Sequence, residues 1–136
     1  MKELIIFIGI PASGKSTFYI KHYLGSHIHI NLDTLKSRSR EWALFTTAVA
    51  YDSDIVVDNT NINKEKRARY INYVKTRGYT IKCVNFKASA KDCNLRNIGR
   101  KAEVPKGVIE RFLNDYEEPS HAEGFNHIET IMVDDK

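Results

Sequence analysis

The sequence predicts an α/β fold in which a five-stranded parallel sheet is flanked by helices on both faces. Residues 4–8 form a continuous apolar run, which is typical of a strand buried on both of its faces. The segment GIPASGKST follows that run directly, at residues 9–17. Strand-like runs then alternate with helical patterns along the chain, which favours parallel strands joined by right-handed crossovers.

The first half of the chain divides into three strands and two helices. Gly25 closes the first helix, and the second helix carries Trp42, Leu44 and Phe45. The segment HIHIN alternates polar and β-branched residues, as a half-buried strand does. We therefore predict strands at residues 4–8, 27–31 and 54–58, and helices at residues 16–24 and 34–51.

The second half of the chain adds two strands and three helices. Asn63 can cap a helix that runs to Arg77, and Gly78 can end it. Pro105 suits the first turn of a later helix. We predict helices at residues 64–77, 90–98 and 105–113, and strands at residues 79–86 and 127–133. The acidic, turn-rich segment 114–126 is interpreted as a surface connection back to the last strand.

The composition is that of one globular domain. A chain of 136 residues can bury its own core, so we predict a single domain over residues 1–136. A hydrophobic content of 42% and a charged content of 28% are ordinary for a soluble protein. No run of about 18 apolar residues is present, so no membrane partner is expected. Cys83 and Cys93 match no metal-ligand spacing, which favours a reduced, cytoplasmic setting.

The net charge of +4 is unevenly distributed along the chain. Residues 1–63 carry six basic and six acidic side chains, whereas residues 64–111 carry fourteen basic and four acidic ones. Residues 112–136 carry one basic and seven acidic side chains. A basic middle segment indicates a polyanionic partner such as nucleic acid. The alternative is that these cations only solvate the outer faces of helices.

The segment at residues 9–17 has the spacing of a loop that binds the phosphates of a nucleoside triphosphate. Glycines let such a loop turn its backbone N–H groups toward phosphate oxygens. Lys15 would neutralise the β- and γ-phosphates, and Ser16 would be a ligand of Mg²⁺. The alternative is a glycine turn that binds no nucleotide. The predicted ATP-binding residues are Gly9, Ala12, Ser13, Gly14, Lys15, Ser16 and Thr17.

Two aspartates lie at the carboxyl end of the predicted sheet, where ligands bind in open α/β folds: Asp33 follows the second strand and Asp58 ends the third. Asp33 can take the proton from an attacking hydroxyl, or it can act as the N-cap of the next helix. Asp58 resembles the acidic residue that holds Mg²⁺ through water beside a phosphate loop. The alternative for Asp58 is a turn in which its carboxylate only accepts bonds from backbone amides.

Arg96 and Arg100 lie four residues apart, so on a helix they would share one face. Two guanidinium groups can clamp a transferring phosphoryl group, and the following KAEVPKG can be the hinge of a lid. The alternative is a solvated helix face. The five histidines show no metal-ligand spacing and are interpreted as structural. We interpret Trp42, Phe45 and Tyr51 as core residues rather than as a platform for base stacking.

Five segments together resemble the kinase domain of the 5′-hydroxyl polynucleotide kinases of bacteriophage and bacterial type. They are GIPASGKST, NLD, DNTNINKEKR, LRNIGRKAEVPKGVIERF and EGFNHIETI, and they span almost the whole chain. The resemblance implies a P-loop kinase fold with a small lid at about residues 96–106. It also implies that Lys15 and Ser16 bind ATP and Mg²⁺, that Asp33 is the general base, and that Arg96 and Arg100 belong to the lid.

One position departs from the family pattern. The family has an arginine three residues after the base, where it contacts the 3′ phosphate of the acceptor, whereas this chain has Lys36. A lysine neutralises phosphate but lacks the bidentate fork of arginine. Arg38 and Arg40 follow closely and can substitute for it. The predicted acceptor-binding residues are therefore Lys36 and Arg38.

The preferred hypothesis is an ATP-dependent kinase that phosphorylates the 5′-OH end of DNA or RNA. The first alternative is a kinase for a sugar, nucleoside or antibiotic hydroxyl, and the second is a nucleotide-dependent regulator. Asp33 argues against a pure regulator, because a switch does not need a base for an acceptor alcohol. The chain lacks an N-K-x-D motif for reading guanine, and the sequence indicates no protein partner.

Overall fold

The computed structural model describes residues 2–133 of the chain. Its five strands are β1 (Glu3–Ile8), β2 (Ile28–Ile30), β3 (Ile55–Asp58), β4 (Thr80–Lys87) and β5 (His127–Met132). They form one sheet in the order β2-β3-β1-β4-β5, and every neighbouring pair is parallel. The predicted α/β fold with a five-stranded parallel sheet is confirmed.

Six helices connect these strands. They are α1 (Lys15–His22), α2 (Leu32–Leu35), α3 (Arg38–Ala50), α4 (Lys64–Val74), α5 (Ala90–Asn97) and α6 (Val108–Asp115). A short 3-10 turn, His121–Glu123, precedes β5. The helices begin and end within a few residues of the predicted bounds, apart from the differences given below.

The sheet separates two hydrophobic clusters, as expected for a sheet with helices on both faces. Leu4, Ile6 and Ile8 of β1 pack against residues of α3 and α4 on one face. Ile5 and Phe7 of β1 pack against α1 on the other face. Because β1 is buried on both faces, its sequence is continuously apolar rather than alternating. The central strand therefore delivers the loop at residues 9–17 to the middle of the sheet edge.

The predicted helix at residues 34–51 is wrong as a single helix. Lys36 has a φ of 72°, in the left-handed region, and it ends the four-residue helix α2. Ser37 then caps α3, since its side chain accepts a hydrogen bond from the backbone N–H of Arg40. The break turns the chain between Asp33 and Arg38, both of which matter for the site below.

The helix that carries Arg96 ends before Arg100. Ile98 is extended and Gly99 has a φ of 79°, so α5 ends at Asn97. The prediction that the two arginines share a helix face is therefore wrong. The following helix begins at Val108 after Gly107, three residues later than the start predicted at Pro105. The intervening residues form turns instead of a first helical turn.

Other predictions divide between confirmation and correction. The Asn63 side chain caps α4 as predicted, accepting a bond from the N–H of Lys66 at 2.9 Å. Phe45 is buried, and Trp42 packs against the same cluster, whereas Tyr51 is 80% exposed and does not belong to the core. The segment 114–126 is not only the predicted surface connection, because its Phe125 is buried in the hydrophobic core.

Within residues 2–133, no helix has the length and apolar character that crossing a membrane requires.

Candidate active site

Residues 9–17, which we call the phosphate loop, connect β1 to α1. At Gly9 a Cβ atom would lie 2.7 Å from Ser13 Oγ and 3.1 Å from Phe86 Cβ, so the loop has no room for a side chain there. Gly14 has a φ of 93°, a conformation that glycine adopts without strain. The loop thus curls around the start of α1, where first-turn N–H groups lack partners within the helix and attract anions.

Lys15 is buried against the phosphate loop. Its Nζ donates to the carbonyl oxygens of Gly9 and Ile10, each at 2.9 Å. Burial disfavours the ammonium ion and lowers the pKa of Lys15 from 10.5 to about 8. The Asp58 carboxylate opposes this shift, whereas the Arg100 guanidinium adds to it. An anion bound beside Lys15 would offset both the cost of burying the Lys15 ammonium and the repulsion between Lys15 and Arg100.

Ser16 and Asp58 face each other at the sheet edge. Ser16 Oγ donates to Asp58 Oδ2 at 2.7 Å, and Asp58 is a buried residue at the end of β3. Among the described residues, no group of three or more His, Cys, Asp or Glu side chains is placed to hold a metal ion. However, Mg²⁺ in nucleotide sites takes one or two protein oxygens and completes its shell with phosphate and water. The hydroxyl and carboxylate fit that partial set of ligands.

His29 also contacts Asp58, although the sequence suggested only a structural role for it. His29 Nε2 lies 2.7 Å from Asp58 Oδ2, the same oxygen that Ser16 contacts. The imidazole ring stacks on Tyr19 with 3.8 Å between centroids and 9° between planes. Its position near the carboxyl end of β2 was the available sequence signal, since ligands of parallel sheets bind at that edge.

Asp33 lies in the first turn of α2, at the carboxyl end of β2, and it is exposed. Asn31, and not Asp33, caps this helix: Asn31 Oδ1 accepts a bond from the N–H of Thr34 at 3.0 Å. Asn31 Nδ2 donates to the Asp58 carbonyl oxygen at 2.6 Å, which joins the ends of β2 and β3. The N-cap alternative for Asp33 is therefore wrong.

A buried polar network holds α2 and α3 in place. Glu41 is fully buried, and its Oε2 accepts bonds of 2.5 Å from both Asn59 Nδ2 and Tyr70 Oη. Asn59 Oδ1 accepts a bond of 2.8 Å from the N–H of Leu32, which precedes Asp33. Sequence reasoning missed Glu41, because its partners lie 18 and 29 residues away along the chain.

An open cleft of about 500 Å³ brings most of the predicted site residues together. The loop residues 12–17 line one side of it, together with Asp58 at the end of β3. Asp33, Arg96 and Arg100 line the other sides. Of the two predicted acceptor-binding residues, Arg38 lines the cleft, whereas Lys36 lies outside its described lining. Gly9 also lies outside that lining and acts through its carbonyl bond to Lys15.

Asn97 closes the turn that carries Arg100. Its Nδ2 donates to the Val104 carbonyl oxygen at 2.9 Å, and its Oδ1 accepts from the N–H of Val104 at 3.0 Å. The N–H of Gly99 donates to Glu103 Oε1 at 3.1 Å within the same turn. Arg96 reaches the cleft from α5 and Arg100 reaches it from this turn, so the two side chains converge without sharing a helix.

The chain matches one protein-family model over residues 31–119, which is described as an AAA domain. A bifunctional polynucleotide phosphatase/kinase of Schizosaccharomyces pombe is 25% identical over 136 residues, which cover 96% of this chain and 33% of the yeast protein. A protein of Acanthamoeba polyphaga mimivirus that is also named as a bifunctional polynucleotide phosphatase/kinase is 33% identical over 141 residues. The match covers 96% of this chain and 33% of the viral protein. The chain thus spans about a third of the length of the curated relatives that it matches.

Three solved structures resemble the fold at low sequence identity. Kti12 of Chaetomium thermophilum, in complex with ADP-AlF3, has a TM-score of 0.72 and 20% identity, covering 98% of this chain and 90% of Kti12. A chain of the PezAT toxin-antitoxin system of Streptococcus pneumoniae has a TM-score of 0.76 and 12% identity, and the match covers 97% of this chain and 68% of the PezAT chain. The APS kinase CysC of Mycobacterium tuberculosis has a TM-score of 0.65 and 18% identity, and the match covers 95% of this chain and 88% of CysC.

These comparisons confirm the predicted P-loop kinase fold and the resemblance to polynucleotide kinases noted from the sequence motifs. The family model covers well over half of the chain, including α2, the buried Glu41 network and the turn that carries Arg100. The chain belongs to the AAA domain family, its fold is that of the P-loop kinases, and its sequence resembles a part of polynucleotide phosphatase/kinases.

Proposed function

We propose that this domain transfers the γ-phosphoryl group of ATP to a hydroxyl, and that its acceptor is the 5′-OH end of DNA or RNA. The observation that supports this most strongly is the cleft, in which the phosphate loop, Asp33, Asp58, Arg96 and Arg100 meet. A donor site alone would need the loop and Asp58. The exposed Asp33 is what a second, reacting substrate requires, and the two converging arginines can stabilise the phosphoryl group during its transfer.

Lys15 and the loop amides bind the triphosphate in this proposal. Lys15 is already held at the loop by Gly9 and Ile10, and the bound β- and γ-phosphates give its buried charge a partner. Ser16 and Asp58 would hold Mg²⁺, which neutralises phosphate charge when it is bound. The Ser16–Asp58 hydrogen bond of 2.7 Å supports this role, because it places the two oxygens next to each other.

Asp33 accepts the proton of the attacking hydroxyl. The acceptor oxygen forms a bond to the γ-phosphorus, the bond between that phosphorus and the bridging oxygen of the β-phosphate breaks, and ADP leaves with the electron pair. Arg96 and Arg100 bind the equatorial oxygens, over which charge spreads during the transfer. Arg38 binds phosphate of the acceptor beside the reacting end, since it lines the cleft with an exposed guanidinium.

The acceptor class is inferred from charge and from the names of the relatives. Residues 64–111 carry fourteen basic side chains, which suit a polyanion. The two curated relatives are named polynucleotide phosphatase/kinases. A single domain over residues 1–136, a lid at residues 96–106, the acceptor role of Lys36 and a cytoplasmic location remain predictions from the sequence.

The test is to incubate the protein with γ-labelled ATP, Mg²⁺ and either a 5′-OH oligonucleotide or a free nucleoside. We expect label in the oligonucleotide, lost in Lys15→Ala and retained in Lys21→Ala, a matched exposed lysine of the same helix. Preferential labelling of the nucleoside would indicate a small-molecule kinase instead. ATP hydrolysis that labels neither acceptor would overturn the kinase proposal.

A further inference from the structure

A second, smaller depression opens beside the cleft, along the N-terminal half of α4. We call it the α4 groove; its volume is about 320 Å³. It is lined by Arg38, Asn59, Thr60, Asn61, Glu65, Lys66 and Arg69. Four of these residues also line the cleft, namely Arg38, Asn59, Thr60 and Lys66. The groove is therefore continuous with the site of the proposed reaction, and Arg38 and Lys66 stand where the two meet.

The chemistry of the α4 groove suits phosphate. Its described lining carries three cations, Arg38, Lys66 and Arg69, against one carboxylate, Glu65. The Thr60 hydroxyl can donate a hydrogen bond to a phosphate or sugar oxygen, whereas the side-chain amides of Asn59 and Asn61 already donate within the protein, to Glu41 Oε2 and to the Phe7 carbonyl oxygen. Apolar side chains, which a small hydrophobic ligand would need, are missing from this described lining.

Two of these cations, Lys66 and Arg69, lie on α4, which packs against the core. Lys66 and Arg69 are three residues apart on α4, so they project from one face of that helix. The Arg69 guanidinium lies 4.3 Å from the centre of the Trp42 ring and 5.4 Å from that of Tyr70. Both rings belong to or pack against the core cluster between α3, α4 and the sheet. Arg69 is thereby held in place by cation–π contacts before any ligand arrives.

We propose that the α4 groove is a second phosphate subsite, which binds the backbone of the acceptor strand beyond its terminal nucleotide. The proposal rests on the proposed function, because the acceptor hydroxyl must lie at Asp33 for the strand to leave the cleft past Arg38. From Arg38 the strand follows Lys66 and then Arg69. Arg69 lines the groove but not the cleft, so an acceptor that fills only the cleft, such as a nucleoside monophosphate, does not contact Arg69, and the groove selects polynucleotides over single nucleotides.

The test compares two acceptors that differ in length, a nucleoside 3′-monophosphate and a 5′-OH oligonucleotide of several nucleotides. Wild type should show a lower KM for the oligonucleotide. Arg69→Gln should raise that KM about tenfold, the weight of one charge-assisted contact, and should leave the KM of the monophosphate within about twofold. Lys75→Ala is the matched control, since Lys75 is an exposed cation at the other end of α4.

The salt dependence of binding gives an independent measurement. A cation that contacts a single-strand phosphate contributes about 0.7 to the slope of log affinity against log salt concentration. Binding of a fluorescent oligonucleotide by Arg69→Gln and by Lys66→Ala should each show a slope that is lower by about that amount, with no change in Lys75→Ala. Lys66→Ala keeps the test decisive if Arg69→Gln unfolds, because it removes no contact with Trp42.

The outcomes separate this inference from the proposed function. If wild type labels neither acceptor, the proposed function fails. If wild type labels both acceptors but Arg69→Gln changes neither KM, or raises both equally, the subsite proposal fails while kinase activity stands. Unchanged salt slopes in both groove variants would overturn the subsite in the same way.

Discussion

At the scale of single residues, burial of Lys15 carries a cost in stability that its proposed role in binding phosphate would explain. Its ammonium is buried beside Arg100, and its pKa is lowered to about 8. In the unfolded chain its pKa is near 10.5, so below pH 8 it is charged in both states and the cost of burial is fully present. Between pH 8 and 10.5 the folded protein holds Lys15 neutral while the unfolded chain still binds the proton, so that cost declines as the pH rises.

The change Lys15→Met should therefore stabilise the nucleotide-free protein at pH 7. A shift from 10.5 to about 8 corresponds to a gain on the order of 3 kcal/mol in the free energy of unfolding. The difference in the free energy of unfolding between Lys15→Met and wild type should become smaller as the pH is raised through 8 toward 10.5. Urea unfolding of both proteins at pH 7 and pH 9.5 measures it. Lys21→Met is the control. If the stability difference between Lys15→Met and wild type does not depend on pH, the cost does not come from burying the Lys15 charge.

Asp33→Asn should lower kcat by about 100-fold or more, the usual weight of a positioned general base. ATP affinity should be nearly unchanged, because Asn31 supplies the cap of α2 and Asp33 is exposed. Nucleotide titration and steady-state kinetics on the same preparation measure both quantities. A parallel loss of ATP binding and turnover would place Asp33 in the donor site and not at the acceptor hydroxyl.

At the scale of elements, the sequence predicted the five strands because each is either a continuous apolar run, as at residues 4–8, or an alternation of polar and apolar residues, as in HIHIN. It did not predict the break between α2 and α3, because Lys36 adopts a left-handed φ of 72° without being glycine. Ser37 was the available signal, since a serine inside a helical pattern can be a new N-cap. The end of α5 had a similar signal in Gly99, which the spacing argument for Arg96 and Arg100 passed over.

The same limit applies to the candidate site. The phosphate loop, Asp33 and Asp58 are local features of the sequence, each placed at or shortly after the carboxyl end of a strand, and residues of all three line the cleft. His29 and Glu41 contribute through partners that only the folded chain brings near, such as Asp58 and Tyr70. No periodic pattern records those contacts. Sequence reasoning therefore finds the groups that can react and misses those that hold them.

Arg67 joins α4 to the connection before β5, and its removal should be costly. It is fully buried; its Nε and Nη2 donate to Glu123 at 2.8 and 3.2 Å, and its Nη1 donates to the Asn61 carbonyl oxygen at 2.9 Å. Arg67→Met would leave the largely buried Glu123 without its cation. We expect a loss of about 3–5 kcal/mol in the free energy of unfolding, as for other broken buried pairs.

Chemical denaturation measures that loss, and the double variant Arg67→Met with Glu123→Gln identifies its cause. Removing both charges should recover part of the stability, because the uncompensated carboxylate is then gone. Arg77→Met is a matched control at an exposed arginine just beyond α4. A loss below about 1 kcal/mol for Arg67→Met would show that the ion pair contributes little to holding α4.

At the scale of the whole molecule, the residues of the proposed reaction come from both sides of the cleft. The sheet edge supplies the phosphate loop, Asp33 and Asp58, whereas α5 and the turn after it supply Arg96 and Arg100. A third hydrophobic cluster joins these two parts: Ile10 and Ala12 of the loop region pack with Cys93 and Ile109 of α5 and α6. We therefore expect any movement of the arginine-bearing turn to be coupled to the conformation of the phosphate loop.

Electrostatics predict the direction of that movement. Arg100 and Lys15 are close enough that the guanidinium lowers the lysine pKa, so without nucleotide the two cations repel each other. In the proposed reaction a bound triphosphate would lie between them and attract both, which should draw residues 96–106 toward the loop. Hydrogen exchange should therefore slow at residues 96–106 when a non-hydrolysable ATP analogue binds, and slow less with ADP, which lacks the γ-phosphate. Arg100→Ala should abolish the difference between the two nucleotides, whereas Arg111→Ala, an exposed arginine on α6, should preserve it. If residues 12–17 become protected while exchange at residues 96–106 is unchanged, the turn is a fixed wall of the cleft and the predicted lid is wrong.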